Sequence, residues 1–148
     1  MHHYRSFIIM TVLSTLVMYA VMFAGIETFD HFYNSQGMVF MALLMGSSMA
    51  VIMLLLMLDM YKDRRMNIII VAVSTIVFAG SLYLLRSQQT VGDSAFIRMM
   101  IPHHSMAILS SENAKVSDDR LRKIADQIIE SQKREIAEMK TLLEQLER

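Results

Sequence analysis

The chain has 148 residues, 54% of them hydrophobic and 19% charged, and its acidic and basic residues balance to zero net charge. That length suits one ordinary domain, but the composition is too apolar for a simple soluble one and puts part of the chain in a membrane. Zero net charge and isolated basic residues exclude a nucleic-acid-binding stripe. The absence of cysteine excludes disulfides, zinc ribbons, thiol catalysis and iron–sulfur clusters.

Three stretches, residues 6–26, 38–58 and 68–85, contain no charged residue. Each is long enough to cross a hydrocarbon core of roughly 30 Å at about 1.5 Å per residue. The first exceeds a signal peptide's apolar core of about 7–15 residues and lacks an A-x-A end, so it reads as a retained anchor. The connection 59–67 carries Lys62, Arg64 and Arg65, with Arg5 on the same side, whereas 27–37 has no Lys or Arg and carries Glu27, Asp30 and His31. The positive-inside rule therefore predicts a cytoplasmic amino terminus and, after three crossings, an external segment beyond Arg86. In a bacterium this is an inner-membrane protein with a periplasmic or extracellular domain. The 27–37 connection reads as a solvated loop, with an accessory metal site at Glu27, Asp30 and His31 as the alternative.

In the second span Met41, Met45, Met49, Met53 and Met57 recur every fourth residue, beside a row of Ala42, Gly46 and Ala50. Small residues in such a row let membrane helices approach closely. A four-residue step drifts about 40° per repeat, so the methionines form a winding ridge. Packing is its default role, and a thioether path for copper is the alternative.

After Arg86 the character changes. Residues 1–86 form a three-span membrane region, 87–92 a polar linker, and 93–148 a helical hairpin domain. Its first helix is predicted from Asp93, a good N-cap, to Lys115, and its second from Ser117 or Asp118 to Leu146. The short break between them makes the pair antiparallel. On the second helix Leu121, Ile124, Ile128, Ile136, Met139, Leu143 and Leu146 form an apolar stripe interrupted by Gln132. Two helices bury little surface against each other, so the prediction is an all-α fold whose hairpin completes a helical bundle by homo-oligomerisation.

The chemistry concentrates at residues 99–106, Met-Met-Ile-Pro-His-His-Ser-Met, which hold three of sixteen methionines and two of five histidines. Thioether sulfur and imidazole nitrogen favour copper, whereas magnesium and calcium want oxygens that this octet lacks. Apolar packing is the competing reading. Antiparallel pairing about a turn near residues 116 and 117 sets His103 opposite Ser131 and Gln132, Met99 opposite Glu135, and Phe96 opposite Glu138 and Met139. Met99, His103 and Met106 share one face, with Met100 and His104 on the adjacent strip. Pro102 predicts a kink or a restarted helix, or else marks a helix start.

Asp93, Phe96, Met99, the run from Met100 through Pro102, His103, His104 and Met106 to Ile108, and the later Gln132, Glu135, Ile136 and Met139 together resemble a bacterial family catalogued as domain of unknown function 305. The resemblance covers residues 91–146. It implies a helical bundle of ferritin-like architecture, with copper binding among its members. It also implies His103, His104, Met99, Met100, Met106 and Met139 as candidate ligands here, with Gln132, Glu135 and Asp93 in support. A single hairpin cannot complete a four-helix bundle, so the site is expected where hairpins of neighbouring subunits meet.

The functional expectation is thus a membrane-anchored, extracytoplasmic protein that binds Cu(I) or Cu(II) and buffers it or hands it to other copper-handling envelope proteins, without catalysis. Outside the cytoplasm methionine and histidine keep their donor atoms where thiols pair off. Two alternatives compete with it. One is an oligomeric membrane scaffold or sensor without metal. The other, a ferritin-like di-iron oxidase, lacks the Glu-x-x-His pairs that such chemistry recruits.

Overall fold

A computed structural model describes residues 2–148; Met1, the first residue assigned to the membrane region, lies outside them. The described residues form five α-helices and no strand: α1 (His2–Val21), α2 (Gln36–Leu56), α3 (Arg64–Ser87), α4 (Asp93–Asn113) and α5 (Asp119–Leu146). Short 3₁₀ turns at Met22–Gly25 and Phe29–His31 lie between α1 and α2. The segments His3–Gly25, Gln36–Leu56 and Arg64–Ser87 are long and apolar enough to cross a membrane. These helices divide between two compact units: residues up to 22 with 37–90, and 23–36 with 91–148.

In the first unit Phe7, Ala50, Leu54 and Tyr61 make a buried cluster, with Tyr4, Met53, Met57 and Ile70 packed on it. The Tyr4 hydroxyl donates to Asn67 Oδ1 at 2.8 Å, and the Asn67 amide donates to the Tyr61 carbonyl at 2.7 Å. These bonds tie the start of α1 to the turn before α3. Asp63 caps α3 by accepting from the backbone N–H groups of Arg65 and Met66 at 2.9 and 3.2 Å, which satisfies two of the helix's orphan donors. At the other end Gln88 takes the left-handed conformation (φ 54°), and its N–H reaches the Leu84 carbonyl. That geometry closes the helix as a glycine usually would.

The small-residue row packs as its spacing predicts: Ala42, Gly46 and Ala50 are all buried. A Cβ added at Gly46 would lie 2.1 Å from Thr15 Oγ1 and 3.1 Å from Thr15 Cγ2, so α1 rides directly on α2 there. The methionine ridge winds off this contact. Met41 and Met45 are exposed, whereas Met53 and Met57 pack on the Phe7 cluster.

In the second unit Ile97, Ile101 and Ile108 of α4 bury against Ile136 and Leu143 of α5. Each such side chain contributes about 1.5–3 kcal/mol on leaving water. Arg98 bonds Glu147, His104 bonds Glu135, and Arg122 bonds the Ser111 carbonyl, so the two helices run in opposite directions. Asp118 caps α5 through Arg120 N–H and Leu121 N–H. Of the predicted α5 stripe, Ile136 and Leu143 are buried while Leu121, Ile124 and Leu146 remain about half exposed.

Three local expectations need correction. Asp93 is not the N-cap of α4: Gly92 holds that position in extended conformation, and its carbonyl takes the first helical bond, from Phe96 N–H at 2.9 Å. Asp93 instead places its carboxylate in the first turn, where the helix dipole favours negative charge. Pro102 neither starts nor breaks the helix, which runs through it. Its ring is fully buried, and packing holds α4 together where one backbone bond is missing. Finally, α4 ends at Asn113, so the connection spans residues 114–118 and is longer than predicted.

The Gly46 contact yields a test. Gly46→Leu should destabilise the membrane unit by about 1–3 kcal/mol, as overpacking does, and lower its melting temperature in detergent. Gly46→Ala should cost less, and Thr15→Ala should recover part of the Gly46→Ala loss by removing the hydroxyl its Cβ would meet. An unchanged melt for Gly46→Leu would show that α1 and α2 do not meet there.

Candidate functional site

The rotation of α4 is set by its three buried isoleucines, and that rotation separates the two adjacent histidines by about 100°. His104 turns inward, with 9% of its surface exposed, whereas His103 is exposed. The ring of His104 is held from both sides: Nδ1 lies 3.0 Å from the Met100 carbonyl and Nε2 lies 2.8 Å from Glu135 Oε2. A carbonyl only accepts, so Nδ1 carries the proton and donates. Nε2 therefore meets the carboxylate either through a second ring proton or through its lone pair.

Donor atoms collect along this flank of the α4–α5 seam. Met100 lies one turn before His104, and Met139 one turn after Glu135; in helices of opposite direction those turns coincide. Met100 and Met139 are half-buried, and Met139 packs on the isoleucine cluster. One turn the other way, Gln132 has its Oε1 buried with no hydrogen-bond partner. A buried unsatisfied acceptor costs about 1–3 kcal/mol.

The octet is thus split. Met100, His104, Gln132, Glu135 and Met139 share the seam, while Met99 and His103 lie on the outer face of α4 by helical spacing. Met106 turns to another neighbour, since a Cβ on Gly25 would meet its Cγ at 3.3 Å and its Sδ at 3.5 Å. The expected pairings of His103 with Ser131 and Gln132, and of Met99 with Glu135, are replaced by His104 with Glu135. The isoleucines, with more apolar surface to bury, take the inward face and carry His104 rather than His103 to α5. Asp93 lies about 16 Å along α4 from His104, beside a separate open groove of about 580 Å³ lined by Phe96, Met139, Leu142 and Leu146. Among the described residues no three His, Asp or Glu side chains are grouped so as to hold a metal. A metal at His104 would draw on thioethers as well.

The loop before α2 is not a solvated one. The hydroxyl of Ser105, which is fully buried, accepts from Glu27 N–H at 2.8 Å and lies 2.9 Å from His31 Nδ1. Lys133 reaches Glu112 at 2.7 Å and Glu27 at 3.7 Å, and Lys140 bonds Asp30. Arg98 lies 5.8 Å from the centre of the Tyr33 ring. Residues 23–36 therefore form a strap across α4 and α5, on the flank opposite His104. The sequence reading missed Ser105. Its signal was a lone hydroxyl among the apolar positions of α4, next to two candidate ligands.

A model of the family described as domain of unknown function (DUF305) matches residues 83–148. An uncharacterized protein of Acanthamoeba polyphaga mimivirus, L153, is 34% identical over 108 residues, covering 72% of this chain and 69% of that protein. The chain belongs to the DUF305 family. No solved structure matches it. The DUF305 segment contains every candidate ligand on α4 and α5, whereas Glu27, Asp30 and His31 lie outside it. The likeness to the viral protein is longer than the DUF305 segment, so it extends into the part that holds the three long apolar helices.

Burial, with the field of Lys140, pushes the His31 imidazole below its ordinary 6.5, against the opposing pull of Glu27 and Asp30. The hydrogen bond from Lys140 holds the Asp30 carboxyl below its usual range. Because folded His31 resists protonation, its contribution is fully present above about pH 6.5. As pH falls, the unfolded chain binds a proton that the folded chain refuses, and stability drops. Amide-exchange protection of residues 23–36 should therefore decline as pH falls below about 6.5. His31→Asn should flatten that decline; a wild-type slope in the variant would remove His31 as its source.

Proposed function

We propose that this DUF305 protein is a membrane-anchored metal-binding protein that holds copper at His104 and buffers or transfers it without catalysis. The observation that carries the reading is the orientation of His104. Its Nδ1–H is spent on the Met100 carbonyl, which fixes the ring as in ligating histidines and leaves Nε2, paired here with Glu135, as the nitrogen a metal would take. Glu135 stands 2.8 Å from that nitrogen. Two lone-pair atoms in such contact need a cation or a proton between their charges.

The residues fit copper better than harder ions. Imidazole with the Met100 and Met139 thioethers suits Cu(I), and imidazole with the Glu135 carboxylate suits Cu(II). Magnesium and calcium ask for oxygen-rich shells. The Gln132 oxygen, buried and unpaired, is a further donor on the same flank. A di-iron oxidase is disfavoured, because its carboxylate-rich chemistry finds no grouping of three His, Asp or Glu among the described residues. Bound copper would supply electron or ligand exchange; the chain's part is to fix the ring, keep the seam dry and present the thioethers.

The loop carrying no Lys or Arg belongs to the same unit as α4 and α5, while Arg5, Lys62, Arg64 and Arg65 fall at the opposite ends of the spans. This distribution supports a cytoplasmic amino terminus at a bacterial inner membrane, with the antiparallel α4–α5 hairpin outside. The half-exposed Leu121, Ile124, Phe96, Leu142 and Leu146 support a homo-oligomer in which hairpins complete a bundle. Met99 and His103, on the outer face, would then meet a neighbouring copy or an envelope protein that receives the ion.

Competitive titration of the full chain in nanodiscs with Cu(I) and Cu(II) tests the assignment. His104→Ala should abolish tight binding, and Glu135→Gln, which removes the proposed carboxylate ligand, should weaken Cu(II) more than Cu(I). His103→Ala should leave the affinity per chain unchanged. Equal copper binding by wild type and His104→Ala would overturn the proposal in favour of a scaffold without metal.

A further inference from the structure

Phe29, at the tip of the strap, is 94% exposed, more than any other large apolar side chain among the described residues, including those on the spans themselves. Phe32, at 52%, is partly covered by Phe23, the ring centres being 4.2 Å apart. Phe29 stands between two segments long and apolar enough to cross a membrane, so the nearest apolar phase for a ring this exposed is the bilayer.

The exposure is imposed by the strap's polar side chains. Glu27 N–H and the His31 ring are fastened to Ser105, Asp30 to Lys140, and Glu27 to Lys133. With Glu27, Asp30 and His31 held by α4 and α5 on either side of the tip, the backbone at Phe29 cannot turn inward without breaking bonds at Asp30 and His31. The chain also limits where the tip can go. Phe29 follows the end of the first span, Gly25, by four residues, which reach at most about 14 Å when fully extended. Seven residues later the chain enters the second span, at Gln36.

We infer that Phe29 inserts into the bilayer at the boundary between headgroups and acyl chains, so that the strap clips the α4–α5 unit to the membrane surface. An apolar ring beside polar groups suits that depth. Asp30, neighbouring Phe29 and 80% exposed but bound to Lys140, restricts the tip to the headgroup boundary and keeps it out of the hydrocarbon centre. The strap then has two faces: one grips Ser105 and the lysines of α5, and the other grips lipid. This inference stands whether or not the seam binds metal.

The chain contains no tryptophan and no cysteine, so one substitution gives a unique reporter. Phe29→Trp in the full chain is reconstituted into phosphatidylcholine vesicles carrying bromine at defined acyl depths, with helicity checked by circular dichroism. The expected result is blue-shifted emission, quenched most strongly by bromines near the headgroup end. Water-like, unquenched emission from Phe29→Trp overturns the inference. So does a blue shift without quenching that grows with protein density, since a second copy would then cover the tip. If Phe29→Trp loses helicity, Phe29→Cys carrying a nitroxide gives the same decision. Greater accessibility to oxygen than to a water-soluble nickel chelate supports insertion, and the reverse overturns it.

Discussion

The buried seam of Ile97, Ile101 and Ile108 against Ile136 and Leu143 is the constraint from which the rest of the α4–α5 unit follows. It fixes the rotation of α4, and on a helix the direction of every other side chain is then set in steps of about 100°. His104 falls on one flank of the seam, where Glu135 and the Met100 carbonyl hold both ring nitrogens. Ser105 falls on the other flank and receives the strap. His103 is left exposed, and Met99, half-buried, lies on the far side of α4 from the seam. Two neighbouring histidines thereby acquire different chemical situations, one oriented and nearly dry, the other open to solvent or a neighbour.

The strap couples sequence segments about eighty positions apart. Its ion pairs, Lys133 with Glu27 and Lys140 with Asp30, are individually modest, because solvent screens charges this exposed. The Ser105 bonds matter more, since the hydroxyl is fully buried and leaving its partners unpaired costs more than the bonds gain. They also sit between His104 and Met106, so the strap and the candidate ligands share one short stretch of α4. In the first unit close approach is obtained differently: Gly46 admits Thr15, the small-residue contact by which long apolar helices pack closely.

Much of this was legible in the residues. Uninterrupted apolar stretches located three helices long and apolar enough to cross a membrane to within a few residues of their ends, because an uncharged run of that length satisfies its backbone groups as a helix. Asp118 announced the start of α5, and Ala42, Gly46 and Ala50 announced their packing row. The candidate site was legible as a composition and not as an arrangement: the octet, Gln132, Glu135 and Met139 were recognisable, but Asp93 lies far along α4, and Ser105 and the strap went unseen.

What the sequence by itself determined is therefore every property that depends on local pattern: the spans, the caps, the two amphipathic helices, and the concentration of sulfur and imidazole donors that the DUF305 resemblance also marks. Only the tertiary structure decided which histidine faces inward. Both His103 and His104 are compatible with the helix, and the choice rests on a one-position difference in rotation. That rotation minimises exposed isoleucine surface across α4 and α5 together, and it depends on where the 114–118 connection sets their register. It was likewise the tertiary structure that turned a polar loop into a strap. Its partners Ser105, Lys133 and Lys140 meet Glu27, His31 and Asp30 only after both helices are packed, and no local pattern records a contact made at such distance along the chain.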